Sequence, residues 1–417
     1  MKILIIGDYP VPSIYKSYRA DPLAKYLASL GHEVTVLCPH PPFSYSSYNQ
    51  MYYKNIRVIY SSEYRHITQS GDLLLRSSQP LLLGSSLHHL LKTEKFDVIR
   101  AVSFVPSYVA SLLSDKYKIP LVVNLSDFYS DLYSQFGLPL SSIVAVALRR
   151  MEKRIAKISK LFIVDSPAQR DLWSVQWGLD PRKCVVVPDG INLNMFFDKG
   201  DKFFDKSKIH LDNSTKIVYF QGDISYLDGI DLLVDSASYI IKKIPVRIHY
   251  LIVGHGTKSY MNALFKKIEK QNLTQFFSFT GWVPHLLIPS YLRSADICVA
   301  PFRLTFTSAT NFPNKIKEYI VAGKPIIATE SIGLKETVGN VIHYFKAGDS
   351  KALAQATLDM LEGNWFTEEH KIKLSLIARR LDWINIVKHE ERLIRLVVEN
   401  SCKDFRNFDY KLVMGSS

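Results

Sequence analysis

Short apolar runs rich in Val, Ile, Leu and Phe, bounded by turn residues and separated by helical stretches, recur down this chain and constrain its fold more than any other feature. They lie at residues 2–6, 33–38, 56–60, 98–102, 121–125, 161–164 and 185–187, then at 216–220, 247–253, 276–280, 297–300, 325–329 and 341–345. Strands alternating with helices predict parallel sheets wrapped by helices on both faces. Two such series predict two doubly wound α/β domains, and 417 residues suffice for both cores. The seam is expected in the polar stretch 198–214. Beyond the last strand, 350–362 and 368–400 read as helices with apolar faces supplied by Leu374, Ile377, Leu381, Ile384, Ile386 and Leu393.

Composition narrows the class. Hydrophobic residues at 47% and charged residues at 22% match globular usage and exclude disordered and collagen-like chains. No apolar stretch approaches the ~18 residues of a spanning helix, and Gly7-Asp8-Tyr9-Pro10 cuts the opening apolar run short of a secretory segment, so a cytosolic protein is expected. The four cysteines are far apart and form no Cys-x-x-Cys pair, so they are expected to be reduced and structural. Fifty-two basic against 39 acidic residues give +13, spread over both halves, which favours anionic partners. Nucleic acid is disfavoured because no recognised module accompanies the charge.

In open α/β sheets ligands bind outside the carboxyl ends of strands, so an interdomain cleft lined by post-strand loops is expected. Three loops qualify. After the first run, 7–20 carries Lys16, Tyr18 and Arg19 ahead of Asp21-Pro22, which reads as an N-cap and N1 pair, with Gly31 at the helix C′ position. This loop suits an anion or a hydroxylated acceptor, or is a solvated surface loop. After the fifth run, Asp127, followed by Tyr129, can bind a sugar hydroxyl, take part in proton transfer, or simply cap a helix. Finally, Thr310, Asn311 and Phe312 lead into a helix carrying Lys315 and Glu318 and ending at Gly323. Amides at that helix start and Lys315 suit a diphosphate, and the two oxygens of Glu318 suit a ribose diol. An ordinary capped helix with a solvated Glu is the alternative.

The stretch from Glu318 through Gly323-Lys324-Pro325-Ile326-Ile327-Ala328-Thr329 resembles the donor-binding signature of the retaining GT-B glycosyltransferases of glycosyltransferase family 4. Gly31-His32-Glu33-Val34, Pro188-Asp189-Gly190-Ile191-Asn192, Gly254-His255-Gly256, Gly281-Trp282-Val283-Pro284, Ala295-Asp296-Ile297 and Trp383 resemble further family motifs in the family's order. The resemblance implies an acceptor-side domain over 1–197, a nucleotide-sugar domain over 198–381, and a helix and tail over 382–417 returning to the first domain. It implies sugar transfer from a nucleotide diphosphate donor, UDP- or GDP-linked, to a glycan or lipid-linked hydroxyl, with retained configuration and neither metal nor bound cofactor. Glu318 would bind the ribose, 310–315 the diphosphate and sugar, and backbone at Trp282 and Val283 the base, with Gly222 and Gly254 admitting the donor. Lys315, Glu318 and Asp127 are the catalytic candidates, and Lys16, Tyr18, Arg19, Asp127 and Tyr129 face the acceptor.

The chain departs from the family at Thr310, where a second glutamate is usual, and at Asp223 and Asp228, where an Arg and a Lys are usual. Lys315, Lys324 or Arg303 would have to compensate, since a cation at contact with a diphosphate is worth roughly 4 kcal/mol at an effective dielectric near 20. A hydrolase or epimerase of the same fold, or a degenerate nucleotide-sugar binder, are the competing readings. Arg149, Arg150, Lys153, Arg154, Lys157 and Lys160, with apolar residues between them, suit either a soluble helix or peripheral contact with the inner membrane face.

Overall fold

Residues of both parities are apolar in the strand runs, so each strand needs cover on two faces. The computed structural model of the chain supplies that cover twice. It describes residues 1–11, 19–39, 50–53, 55–61, 73–134, 141–197, 211–212, 214–241, 247–363 and 365–413, the side chains of 50–53, 73–79 and 141 apart. Lys16, Tyr18 and most of the expected seam lie outside these residues.

The first unit comprises residues 1–190 and 383–410. Its strands are β1 (Lys2–Ile6), β2 (Glu33–Pro39), β3 (Gln50–Tyr53), β4 (Ile56–Ser61), β5 (Val98–Val102), β6 (Leu121–Asn124), β7 (Leu161–Val164) and β8 (Cys184–Val186). They form one sheet in the order β3-β4-β2-β1-β5-β6-β7-β8, parallel except for β3, which pairs antiparallel to β4. Alternate residues feed two cores. Ile3, Ile5, Val34 and Val36 pack with Leu23 and Leu27 of the helix Ala20–Ser29 and with Trp383, Ile386, Leu393 and Ile394 of the helix Trp383–Val398. Leu4, Ile6 and Leu37 pack on the other face with helices over 73–93, 104–117, 141–158 and 167–177.

The second unit, residues 191–382 with 411–417, carries β9 (Lys216–Gln221), β10 (Ile248–Val253), β11 (Phe277–Phe279), β12 (Ile297–Ala300), β13 (Ile326–Thr329) and β14 (His343–Phe345). All are parallel, in the order β11-β10-β9-β12-β13-β14. The chain moves outward from β9 to β10 and β11, then returns to the other side of β9 at β12. The reversal makes the loops after β9 and β12 the topological switch point of this sheet, where open α/β sheets hold ligands.

Several expectations change. The units divide at Gly190 and Trp383 rather than at 197 and 382. The long C-terminal helix is two helices, Glu368–Arg380 and Trp383–Val398, interrupted at Leu381 and Asp382, where the Ile191 N–H donates to the Leu381 carbonyl at 2.6 Å. The first helix begins at Ala20, so Asp21 is a first-turn residue paired with Lys25 at 2.7 Å rather than a cap. The cysteines are unbridged as expected, and burial pushes the Cys38 thiol up to about 12. Among the described residues no helix is long and apolar enough to cross a membrane.

Candidate functional site

Two glycines shape the loop after β9. Gly254, with φ +144°, lies so close to the loop that a Cβ would stand 1.8 Å from the Gly222 carbonyl oxygen, and a Cβ on Gly222 would stand 2.9 Å from Lys315 Nζ. Backbone contact requires glycine at 254, and φ +132° favours it at 222, so both positions need glycine within the chain itself. The short connection from β12 then passes through the capped helix Phe306–Thr310 into the helix Asn314–Val321, which starts after Pro313 without a side-chain cap. Its positions 315, 318 and 319 share one face, and all three reach β9 or its loop.

Lys315 Nζ bonds Asp228 Oδ1 at 2.7 Å and lies 4.4 Å from the Phe220 ring centroid. Asp228 also accepts from Ser225 Oγ at 2.6 Å. Asp223 is exposed. The Tyr319 hydroxyl accepts the Gln221 N–H at 3.1 Å, and Tyr219 donates to Gln221 Oε1 at 2.8 Å. Gln221 Nε2 in turn donates to Glu318 Oε2, while His285 Nε2 meets Glu318 Oε1 at 2.6 Å. Glu318 is therefore a buried carboxylate held at both oxygens. Neither Gln221 nor His285 was foreseen as its partner, since nothing in a sequence pairs residues 33 or 97 positions apart.

The other expected contributors divide. Thr310 is buried and donates to the Phe306 carbonyl at 2.7 Å. Asn311 precedes the helix with its buried Oδ1 lacking a hydrogen-bond partner among the described residues, and Phe312 is core. Gly333 underlies this turn, where a Cβ would meet the Thr310 carbonyl at 2.2 Å. Trp282 is 53% exposed and Val283 half-buried, just after the bridge between Gly254 and Gly281. The two other candidate cations are committed elsewhere: Lys324 to the Arg293 and Ala295 carbonyls at 3.0 and 2.7 Å, Arg303 to both oxygens of Asp231 at 2.8 and 2.6 Å. Lys315 alone of the three stands beside Gly222.

In the first unit, Asp127 follows β6, half-buried, with Tyr129 stacked on Phe104 at 4.7 Å between centroids. Phe128, its other neighbour, is core against Trp173 and Trp177. Burial, helped by the charges of Asp165 and Asp189, pushes the Asp127 carboxyl up to about 6. A carboxyl so raised is disfavoured by folding whenever it is ionised. Asp127→Asn is therefore expected to stabilise the protein by about 3 kcal/mol well above pH 6, a shift of some two units at 1.36 kcal/mol each. The gain should fade as pH falls from 6 toward 4 and vanish below the unfolded value of 3.8, where the group is protonated folded and unfolded alike. Urea denaturation at pH 4 and pH 7.5 checks this, and a gain equal at both would count against the raised carboxyl.

Arg19, expected on the acceptor side, is buried and bonded within the first unit. Its buried guanidinium bonds Asp189 and Glu390, each at 2.8 Å, and the Val187 carbonyl. Glu390 also receives Arg100 Nε at 2.5 Å from the middle of β5. Among the described residues no group of three His, Cys, Asp or Glu side chains is arranged to hold a metal.

Two family models divide the chain between them: "Glycosyltransferase Family 4" matches residues 19–195 and "Glycosyl transferases group 1" matches 215–363. The chain belongs to the group 1, family 4 glycosyltransferases. It is 27% identical over 168 residues to a D-inositol 3-phosphate glycosyltransferase of Segniliparus rotundus, covering 40% of this chain and 36% of that protein. Across the first curated relatives the matched part is 36% to 56% of their length. Sucrose-phosphate synthase of Thermosynechococcus elongatus shares the fold at TM-score 0.77 and 17% identity over 96% of this chain and 100% of that one. HepE of Anabaena, crystallised with UDP, does so at TM-score 0.69 and 18% identity over 95% and 100%. Both units thus have the fold of the GT-B glycosyltransferases.

Proposed function

We propose that this glycosyltransferase takes a nucleotide diphosphate sugar on its second unit and passes the sugar to an acceptor hydroxyl with retention of configuration. The observation that carries the reading is Glu318, a buried carboxylate fixed at both oxygens beside the switch point, one helical turn beyond Lys315 and an uncapped helix start. An ionised carboxylate offers about four acceptor directions, and two remain for a vicinal diol. Uncapped amides and the helix dipole favour the diphosphate, and Lys315 adds a cation that Asp228 holds in place until a phosphate competes for it. Backbone at Trp282 and Val283 takes the base. The UDP bound by the Anabaena neighbour supports a uridine donor.

On the first unit, Asp127 takes the acceptor hydroxyl, beside Tyr129. A carboxyl near 6 is poised to accept a proton close to neutrality. Incubating the purified chain with UDP-, GDP- and ADP-linked hexoses and simple glycoside or lipid-linked acceptors, read by mass spectrometry, tests the reading. A glycosylated acceptor supports it; free sugar, an epimer, or binding without turnover would replace it with a hydrolase, an epimerase or a degenerate binder.

A membrane-borne acceptor is supported by the helix Ser141–Ile158. Arg149 and Arg154 turn inward, to the Gln176 and Ser111 carbonyls. Arg150, Lys153, Lys157 and Lys160 remain exposed, in line with Ile143 and Val146, which are 65% and 54% exposed. A cation near an anionic bilayer is worth about 1 kcal/mol. Reversing Arg150, Lys153 and Lys157 to Glu should weaken co-sedimentation with phosphatidylglycerol-containing vesicles at least tenfold, and unchanged sedimentation would discard the contact.

A further inference from the structure

We propose that His285 is a positioning residue that aligns Glu318 for the ribose diol, so that the second unit selects ribonucleotide over 2′-deoxyribonucleotide donors. The inference rests on the donor reading above and names the device that makes it selective.

A lone carboxylate on a helix rotates among several side-chain conformers, and each hydroxyl it is to receive must wait for the right one. Glu318 has no such freedom. Its Oε2 is tied to Gln221, itself fixed at backbone N–H by Tyr319 and at Oε1 by Tyr219. Its Oε1 is tied at 2.6 Å to His285 Nε2, whose side chain is largely buried. With one donor on each oxygen, the plane of the carboxylate is set, and one acceptor direction per oxygen remains. Two acceptors about as far apart as the oxygens of one carboxylate match two adjacent hydroxyls and are half-used by one. Loss of a hydroxyl from such a site leaves a buried acceptor unpaired, which is why polar sites reject analogues lacking the group so strongly.

His285 also ties ribose to base. The segment carrying Trp282 and Val283 is anchored at its start, where the Gly254 N–H donates to the Gly281 carbonyl at 3.0 Å, and at its end by His285 on Glu318. Pro284 gives that end a rigid backbone, and the turn His285–Leu287 runs straight into the helix Ile288–Ser294. Removing His285 therefore frees both the carboxylate and one end of the base-side segment. A histidine serving stability alone would leave the preference between sugars untouched, because a loss of folded protein weakens both nucleotides alike.

The experiment is calorimetric titration of the full chain with UDP, GDP and ADP and with the 2′-deoxy form of whichever binds tightest. The unaltered protein is expected to prefer the ribonucleotide at least tenfold. His285→Ala should lose about tenfold in affinity for the ribonucleotide and little for the deoxynucleotide, so that the preference falls to about twofold. His285→Gln, which keeps a donor of similar reach, should restore most of it and guards against a folding defect in the alanine variant. Equal losses for both nucleotides, or a preference that survives His285→Ala, would overturn the inference. Glu318→Ala separates the two levels. If it abolishes the preference while His285→Ala does not, only the role of His285 fails; if it leaves the preference intact, or if none of the three nucleotides binds, the ribose reading fails and the inference with it.

Discussion

Glu390→Ala is expected to destabilise the first unit by about 3–5 kcal/mol, a large part of the 5–15 kcal/mol that holds a typical domain folded. Glu390 is fully buried on the helix Trp383–Val398 and accepts from Arg100 on β5 and Arg19 at the start of the first helix. Its removal leaves two buried guanidiniums, and arginine does not escape by losing its proton. Asp189 bonds Arg19 directly and reaches Arg100 through its charge alone, so Arg100 bears most of the cost. Glu390→Gln should be nearly as harmful, since it keeps the shape and loses the charge. Burial would raise the Glu390 carboxyl, but the charges and hydrogen bonds of Arg100 and Arg19 overcome it and hold it at about 2. The sign follows: a depressed carboxyl stabilises fully above its unfolded value near 4.5, and that contribution is lost as pH falls toward 2. Denaturant midpoints of the wild type and Glu390→Gln should therefore converge in acid. A variant within 1 kcal/mol of wild type at pH 7 would mean that the two cations are solvated after all.

The same network shows where a sequence stops being legible. Val98-Ile99-Arg100-Ala101-Val102 reads as a buried strand because its apolar residues follow one another, and it is one. A charge in its middle implies a counter-charge, but Glu390 lies 290 positions away, and no local pattern names it. Strands are legible because burial on both faces leaves a continuous apolar run. Gln50–Tyr53 went unread because an antiparallel edge strand of four residues, inside a polar stretch, has no such run. The break at Leu381 and Asp382 was hidden because apolar spacing continues through it. Within the site, the helix with Lys315 and Glu318 could be found from its turn residues and from Gly323 and Pro325. What each side chain touches could not: Asp228, expected to repel a diphosphate, instead holds Lys315 beside Gly222, and Lys324, expected to attract one, closes the end of another helix.

Glu318→Ala should lower donor affinity by about 10²–10⁴-fold. A hydrogen bond to a charged group is worth about 1.5–3 kcal/mol, the ribose diol makes two, and each 1.4 kcal/mol is a factor of ten. The change also releases Gln221 and His285, whose donors then face an emptied pocket rather than a carboxylate. Its effect should fall on the nucleoside, so UDP and UDP-sugar should weaken together while acceptor affinity stays. Lys315→Ala provides the contrast. It removes a charge next to the diphosphate and leaves Asp228 without its cation, so it should depress turnover more than nucleoside binding. Titration of UDP against uridine distinguishes the two: Glu318→Ala should weaken both ligands alike, and Lys315→Ala only the phosphorylated one. Undiminished uridine binding by Glu318→Ala would place the ribose elsewhere, because no other buried carboxylate among the described residues stands at the switch point of this sheet.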